Sequence, residues 1–182
     1  MTSSAPSRDL TFVLGGARSG KSAHAERLAI ESGLPVTYVA TAHVGDAEFE
    51  ARVALHRERR PAHWSLVEAP LDLAGALASA ARVGHCVLID CLTLWLANLL
   101  CPAEGNEAAA VPEHALNAFD TALADAPGKI IVVSNEIGMG VVPLGSVTRL
   151  YVDELGRLNQ RVAAASTRAL LMAAGLPLVL KG

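Results

Sequence analysis

Eight residues near the amino end constrain this chain more than any other feature: Gly15-Gly16-Ala17-Arg18-Ser19-Gly20-Lys21-Ser22 fit the pattern G-x-x-x-x-G-K-[ST]. That pattern carries meaning only where a strand runs into it and a helix leaves it. Both conditions hold, since Leu10 to Leu14 is an apolar strand-like run and Lys21 to Ser32 reads as a helix with Gly33 as its stop. The glycines let the backbone curl so that successive N–H groups face a phosphate, and the helix adds its positive end. Lys21 would reach the β- and γ-phosphates of a nucleotide, and Ser22 would hold Mg2+.

Around this loop the rest of the chain alternates. Strands are expected at Val36 to Ala40, Ser65 to Glu68, Cys86 to Ile89, Ile130 to Ser134, Ala169 to Met172 and Leu176 to Leu180. Helices are expected at Ala47 to Arg59, Leu71 to Ala81, Thr93 to Leu100, Glu113 to Ala124 and Val147 to Ala165, the last with Ser146 as its N-cap. Alternation of this kind means an α/β fold with a mostly parallel sheet flanked by helices. Apolar runs without period-two alternation predict strands covered on both faces. In such sheets the ligand crevice lies beyond the carboxyl ends of the strands, so each polar residue that closes a strand is a candidate for chemistry.

The 182 residues suit one catalytic domain spanning 1–182, and 52% hydrophobic against 18% charged residues exclude disordered and coiled-coil classes. A formal charge of -3 with no long basic block argues against nucleic acid as a partner. The longest apolar stretch, Cys86 to Cys101, carries Asp90, Thr93 and Asn98 and is too short for a membrane span. No secretory core precedes the glycine run. Cys86, Cys91 and Cys101 make neither an even framework nor a CxxC pair, which fits a reduced, cytoplasmic setting.

A phosphate loop needs a carboxylate at the end of a neighbouring strand to hold Mg2+. Asp90 is placed for that; the plain alternative is an aspartate capping the helix near Thr93. Glu136 is second in line, or positions the attacking group. The guanine reader Asn-Lys-x-Asp of regulatory GTPases is absent, since Ser134-Asn135-Glu136-Ile137 stands in its place. A small-molecule kinase suits this length better than a motor ATPase.

A second constellation lies in Arg52-Val53-Ala54-Leu55-His56-Arg57-Glu58-Arg59-Arg60-Pro61. Arg52, His56, Arg59 and Arg60 share one face at helical spacing. A solvated basic face is one reading. The other is a phosphate-handling centre, in which guanidinium groups keep His56 neutral and nucleophilic, bind a triphosphate and support covalent nucleotidyl-histidine catalysis.

Five blocks in order resemble a known family nearly end to end. They are the phosphate loop, Tyr38-Val39-Ala40-Thr41-Ala42, the His56 block through Trp64, Asn135-Glu136-Ile137-Gly138-Met139-Gly140-Val141-Val142-Pro143, and Gly156-Arg157-Leu158-Asn159-Gln160-Arg161. The family is the bifunctional adenosylcobinamide kinase/adenosylcobinamide-phosphate guanylyltransferase of cobalamin biosynthesis. The resemblance implies a RecA-like P-loop fold and a homotrimer with sites between subunits. It also implies two reactions on a corrinoid. The γ-phosphoryl of ATP or GTP goes to the aminopropanol hydroxyl of adenosylcobinamide, and then GMP from GTP is attached to that phosphate, releasing pyrophosphate. The residue guanylylated in the family corresponds to His56. The family's nucleotide contacts correspond to Gly15 to Ser22, Ala40-Thr41-Ala42, Arg57-Glu58-Arg59-Arg60, Glu68 and Asp90. The rivals are a P-loop kinase of another small hydroxyl substrate without a covalent step, and a nucleotide-dependent switch.

Overall fold

The computed structural model describes residues 9–42, 61–101 and 110–182. Among these residues the apolar runs form seven strands: β1 Asp9–Gly15, β2 Val36–Ala40, β3 Ser65–Glu68, β4 Cys86–Asp90, β5 Lys129–Asn135, β6 Arg168–Ala173 and β7 Leu176–Lys181. They make one sheet in the order β3-β2-β4-β5-β1-β6-β7. All neighbours pair in parallel except β6 and β7, which form an antiparallel hairpin.

Among the described residues, five helices flank the sheet: α1 Lys21–Glu31, α2 Leu73–Ala80, α3 Leu92–Leu100, α4 Glu113–Asp125 and α5 Ser146–Ala165. Side chains alternate across the four central strands and split the core in two. Phe12, Val39, Ile89 and Val132 face Leu77, Trp95, Phe119 and Leu158 of the other four helices. Val13, Tyr38, Leu88 and Val133 face Ala25 and Ala29 of α1. Trp95 and Phe119 meet at 5.1 Å between ring centres, tilted, a pairing that contributes about 0.5–1.5 kcal/mol beyond burial.

Expected and observed elements agree within a few residues, with three physical corrections. Coverage on both faces holds for β1, β2, β4 and β5 and fails at the sheet edges: β7 is exposed at all six positions, and β3 is exposed except at Val67. Ser146 is the first helical residue of α5, and Gly145 occupies the N-cap without a side-chain bond. The helix expected from Leu71 begins at Leu73, because Asp72 caps it by accepting the Gly75 N–H at 2.9 Å. The helix expected over Ala47 to Arg59 lies outside the described residues. Among those described, no helix is long and apolar enough to cross a membrane.

Candidate active site

Because β1 to β5 are parallel, Gly15, Ala40, Glu68, Asp90 and Asn135, which close them, lie along one edge of the sheet. The phosphate loop sits at that edge. Arg18 and Gly20 both adopt left-handed backbone, at φ 56 and φ 91, which turns the chain from β1 into α1. Gly15 has no room for a side chain: a Cβ there would lie 2.5 Å from Ser19 Oγ and 2.7 Å from the Met172 carbonyl. Lys21 folds back across the loop and donates to Gly16 O at 3.1 Å. Burial lowers its pKa from the usual ammonium range, and interactions with Cys91 and the Asp90 carboxylate oppose the shift. Lys21 and Asp90 therefore share one electrostatic neighbourhood, as a phosphate-and-metal site requires.

Asp90 is held from the side. Tyr38, buried on the α1 face of β2, donates to its Oδ2 at 3.1 Å. The carboxylate does not cap α3, whose N-cap is Cys91 without a side-chain bond. Burial pushes the Cys91 thiol up to about 11, with the Asp90 charge adding to the shift, so this cysteine stays a neutral thiol beside the carboxylate.

Ala40-Thr41-Ala42 leaves the end of β2. Thr41 is fully buried and its hydroxyl is committed to Cys91, donating to the carbonyl at 2.7 Å and receiving the N–H at 2.9 Å. Asn98 of α3 donates to Thr41 O at 2.8 Å and to Pro70 O at 3.0 Å, clipping together the chain segments that leave β2 and β3. Thr41 thus fastens the strand ends. Glu68 lines a cleft of about 400 Å3 together with Val67, Pro70, Asp72, Gly75 and Ser79.

The sheet order separates these groups. At about 4.8 Å per strand, Asp90 lies two strands from Gly15, Ala40 three and Glu68 four, or about 19 Å. The edge therefore carries two centres, one at the phosphate loop and Asp90, the other around the ends of β2 and β3. His56, Arg57, Glu58, Arg59 and Arg60, the arginine-rich block of the expected site, lie outside the described residues, in the stretch of sequence between Ala42, which follows β2, and Pro61, which precedes β3.

Sequence reasoning missed a polar network behind the phosphate loop. Thr93 Oγ1 accepts the Asn135 N–H at 2.9 Å, Tyr151 donates to Thr93 O at 2.9 Å, and Asn159 Nδ2 donates to Asn135 O at 3.0 Å. Ser19 Oγ, Ser134 Oγ, Asn135 Oδ1 and Asn159 Oδ1 are buried without partners among the described residues. Buried polar atoms are normally paired, and these four lie around the register pair Gly15 and Asn135, directly behind the phosphate loop. The signal was present in Asn159, a polar residue inside the apolar stripe of α5.

The donor set fits Mg2+. Ser22 on the first turn of α1 and Asp90 supply hard oxygens, and among the described residues no cluster of three or more His, Cys, Asp or Glu could hold a metal by itself. Magnesium is characteristically bound by one or two side chains together with substrate phosphates.

The chain has close relatives. Residues 11–180 match the family CobU, cobinamide kinase / cobinamide phosphate guanyltransferase. The bifunctional adenosylcobalamin biosynthesis protein CobP of Pseudomonas aeruginosa is 54% identical, over 96% of this chain and 98% of that protein. CobU of Escherichia coli, described in the same words, is 37% identical over 94% and 99%. Among solved structures, the flagellar accessory protein FlaH of Methanocaldococcus jannaschii aligns with a TM-score of 0.50 at 15% identity, covering 97% of this chain and 79% of its own. A Pyrococcus horikoshii protein, PH0250, aligns with a TM-score of 0.54 at 8% identity, covering 96% and 86%. These two likenesses bear on the fold alone, a RecA-like P-loop arrangement. With its phosphate loop, its strand-end carboxylate and its near full-length match, this chain belongs to the cobinamide kinase / cobinamide phosphate guanyltransferase family.

Proposed function

We infer that this chain, as a bifunctional enzyme of adenosylcobalamin biosynthesis, carries out both transfers of its family, with Lys21 and the phosphate loop serving both steps and the residues of the second centre serving the guanylyl step. The observation that carries this reading is the phosphate loop, shaped at Gly15, Arg18 and Gly20 and backed by Lys21 and Asp90, within a chain that matches the family from residue 11 to 180.

In the kinase step the aminopropanol hydroxyl oxygen of adenosylcobinamide attacks the γ-phosphorus of ATP or GTP, and the bond to the β-phosphate oxygen breaks. Gly15 to Ser22 cradle the phosphates, and Lys21 offsets the charge on the transferring group. Ser22 and Asp90 would hold Mg2+, which when bound neutralises phosphate charge. In the guanylyl step a ring nitrogen of His56 attacks the α-phosphorus of GTP and pyrophosphate leaves. A phosphate oxygen of adenosylcobinamide-phosphate then attacks the same phosphorus, the P–N bond breaks, and adenosylcobinamide-GDP departs with His56 restored. Arg57, Glu58, Arg59, Arg60, Glu68 and Ala40-Thr41-Ala42 contribute to the guanylyl site.

The separation of about 19 Å between the phosphate loop and Glu68 supports a homotrimer whose sites form between subunits, since a neighbour can bring its own β2 and β3 ends to the loop. One domain, 1–182, does both reactions. Its three free cysteines suit the cytoplasm.

The test is GTP labelled at the α- or γ-phosphate, incubated with Mg2+ and protein, then denatured. Acid-labile, alkali-stable label from α-labelled GTP alone, absent in His56→Ala, is the expected result. No bound label under conditions where GTP binds would remove the covalent step.

A further inference from the structure

The chain that follows β5 emerges beside the phosphate loop, since Glu136 N donates to Gly15 O at 3.1 Å. From Ile137 to Gly145 it carries no charged side chain. Its backbone is fastened at both ends. Gly138 N donates to Glu136 Oε1 at 2.6 Å, and the Arg149 guanidinium donates to Pro143 O at 3.0 Å and to Leu144 O. Between these anchors Met139 is 78% exposed, Val141 96%, Val142 71% and Leu144 98%. A pinned backbone that holds four large apolar side chains in water is disfavoured unless something covers them during function.

We propose that this segment is the seat of the corrin ring of the acceptor, a reading that rests on the cobinamide kinase activity stated above. The argument is one of reach. A corrinoid is a broad macrocycle with methyl-studded faces and a rim of carboxamides, and the hydroxyl to be phosphorylated sits on a short arm of it. When that hydroxyl meets a γ-phosphate at Lys21, the ring lies within an arm's length of the loop's mouth, where the Ile137 to Leu144 segment begins. The side chains match a ring face: Met139 is polarizable and adaptable, and Val141, Val142 and Leu144 offer methyl groups. Gly140 has open space where a side chain would stand, leaving main chain accessible to carboxamides. A second copy of the chain is the competing occupant, and position beside the transfer site favours the ring.

The test uses Val141→Ser with Leu144→Ser, both nearly fully exposed, and a separate Met139→Ser. Binding of cobinamide without nucleotide is read from its visible absorbance, KM for cobinamide from the kinase assay, nucleotide engagement from protein labelling by GTP alone, and mass from sedimentation. The expected result is a KM and dissociation constant for cobinamide raised about 10-fold or more, with GTP labelling and mass as in wild type. Unchanged cobinamide affinity overturns the proposal. A drop in mass accompanied by loss of GTP labelling overturns it as well and assigns the segment to contact between copies. If the double variant does not fold, Met139→Ser and Val142→Thr decide by the same readouts. Wild-type protein that fails to phosphorylate cobinamide would instead sink the underlying reading.

Discussion

The phenol of Tyr38 donates to Asp90 Oδ2 at 3.1 Å, tying the carboxyl ends of two adjacent strands together on the face that carries α1. The carboxylate beside Lys21 is therefore aimed by a buried side chain of the neighbouring strand. Tyr38→Phe keeps the packed ring and removes the bond. It should cost about 0.5–1.5 kcal/mol of stability and lower kcat for phosphoryl transfer while nucleotide KM holds. Denaturant unfolding and steady-state kinetics read the two effects separately; a change in KM alone would contradict the positioning role.

Lys21→Ala should reduce both the kinase and guanylyl reactions by about 10^2 to 10^3-fold, the usual loss when one charge-stabilising group is removed. His56→Ala should leave the kinase reaction intact. Assaying each reaction with its own substrate distinguishes them, and equal loss of both in the histidine variant would refute the division of labour.

Asn98→Ala removes the side chain that donates to Thr41 O and Pro70 O. Two carbonyls at the ends of β2 and β3 then lose their donor, at a cost of about 1–3 kcal/mol. Hydrogen exchange should rise first in residues 40–42 and 69–71, where the clip acts.

Two buried histidines set an acid limit. Burial lowers the pKa of His85, aided by the Arg82 charge, and its Nε2 lies 2.8 Å from Thr37 Oγ1. Burial likewise lowers His24, with Arg27 and Arg168 adding to the shift and Glu31 opposing it. Each binds its proton more weakly in the folded than in the unfolded chain. Their contribution is thus whole above pH of about 6.5 and is lost as pH falls through the folded values. The melting temperature should drop from pH 7 to pH 5, and His85→Gln should flatten part of that slope.

The loop, its strand and its helix were legible in the sequence because glycine, lysine and serine at fixed spacing leave few conformations that serve them. Alternation of apolar runs with helical stretches was equally legible, down to Gly33, which ends α1 at φ 66. Adjacency was not. An apolar run has the same sequence whether its neighbours cover it or not, so β3 and β7 were expected to be buried like β4. Which strand lies beside which is a property of crossovers, and so the distance from Gly15 to Glu68 emerged only with the sheet order. The roles of Asn98 and Asn159 were passed over because their partners are main-chain groups of other elements, which leave no mark at the residue itself.

At the β6–β7 turn, Ala174 and Gly175 both take left-handed backbone, and Gly175 N donates to Ser19 O at 3.0 Å. A Cβ on Gly20 would stand 3.2 Å from Gly175 Cα. Here backbone meets backbone with no side chain between, so no exchange of residues can retune the fit. Relatives are free to vary the outward surface of β7. They are not free to add or delete a residue at the turn, because the phosphate loop would shift with it. Part of the catalytic geometry is therefore set by a count of residues between two distant loops, so one residue added at the turn would disturb the phosphate loop while every side chain of the site stayed the same.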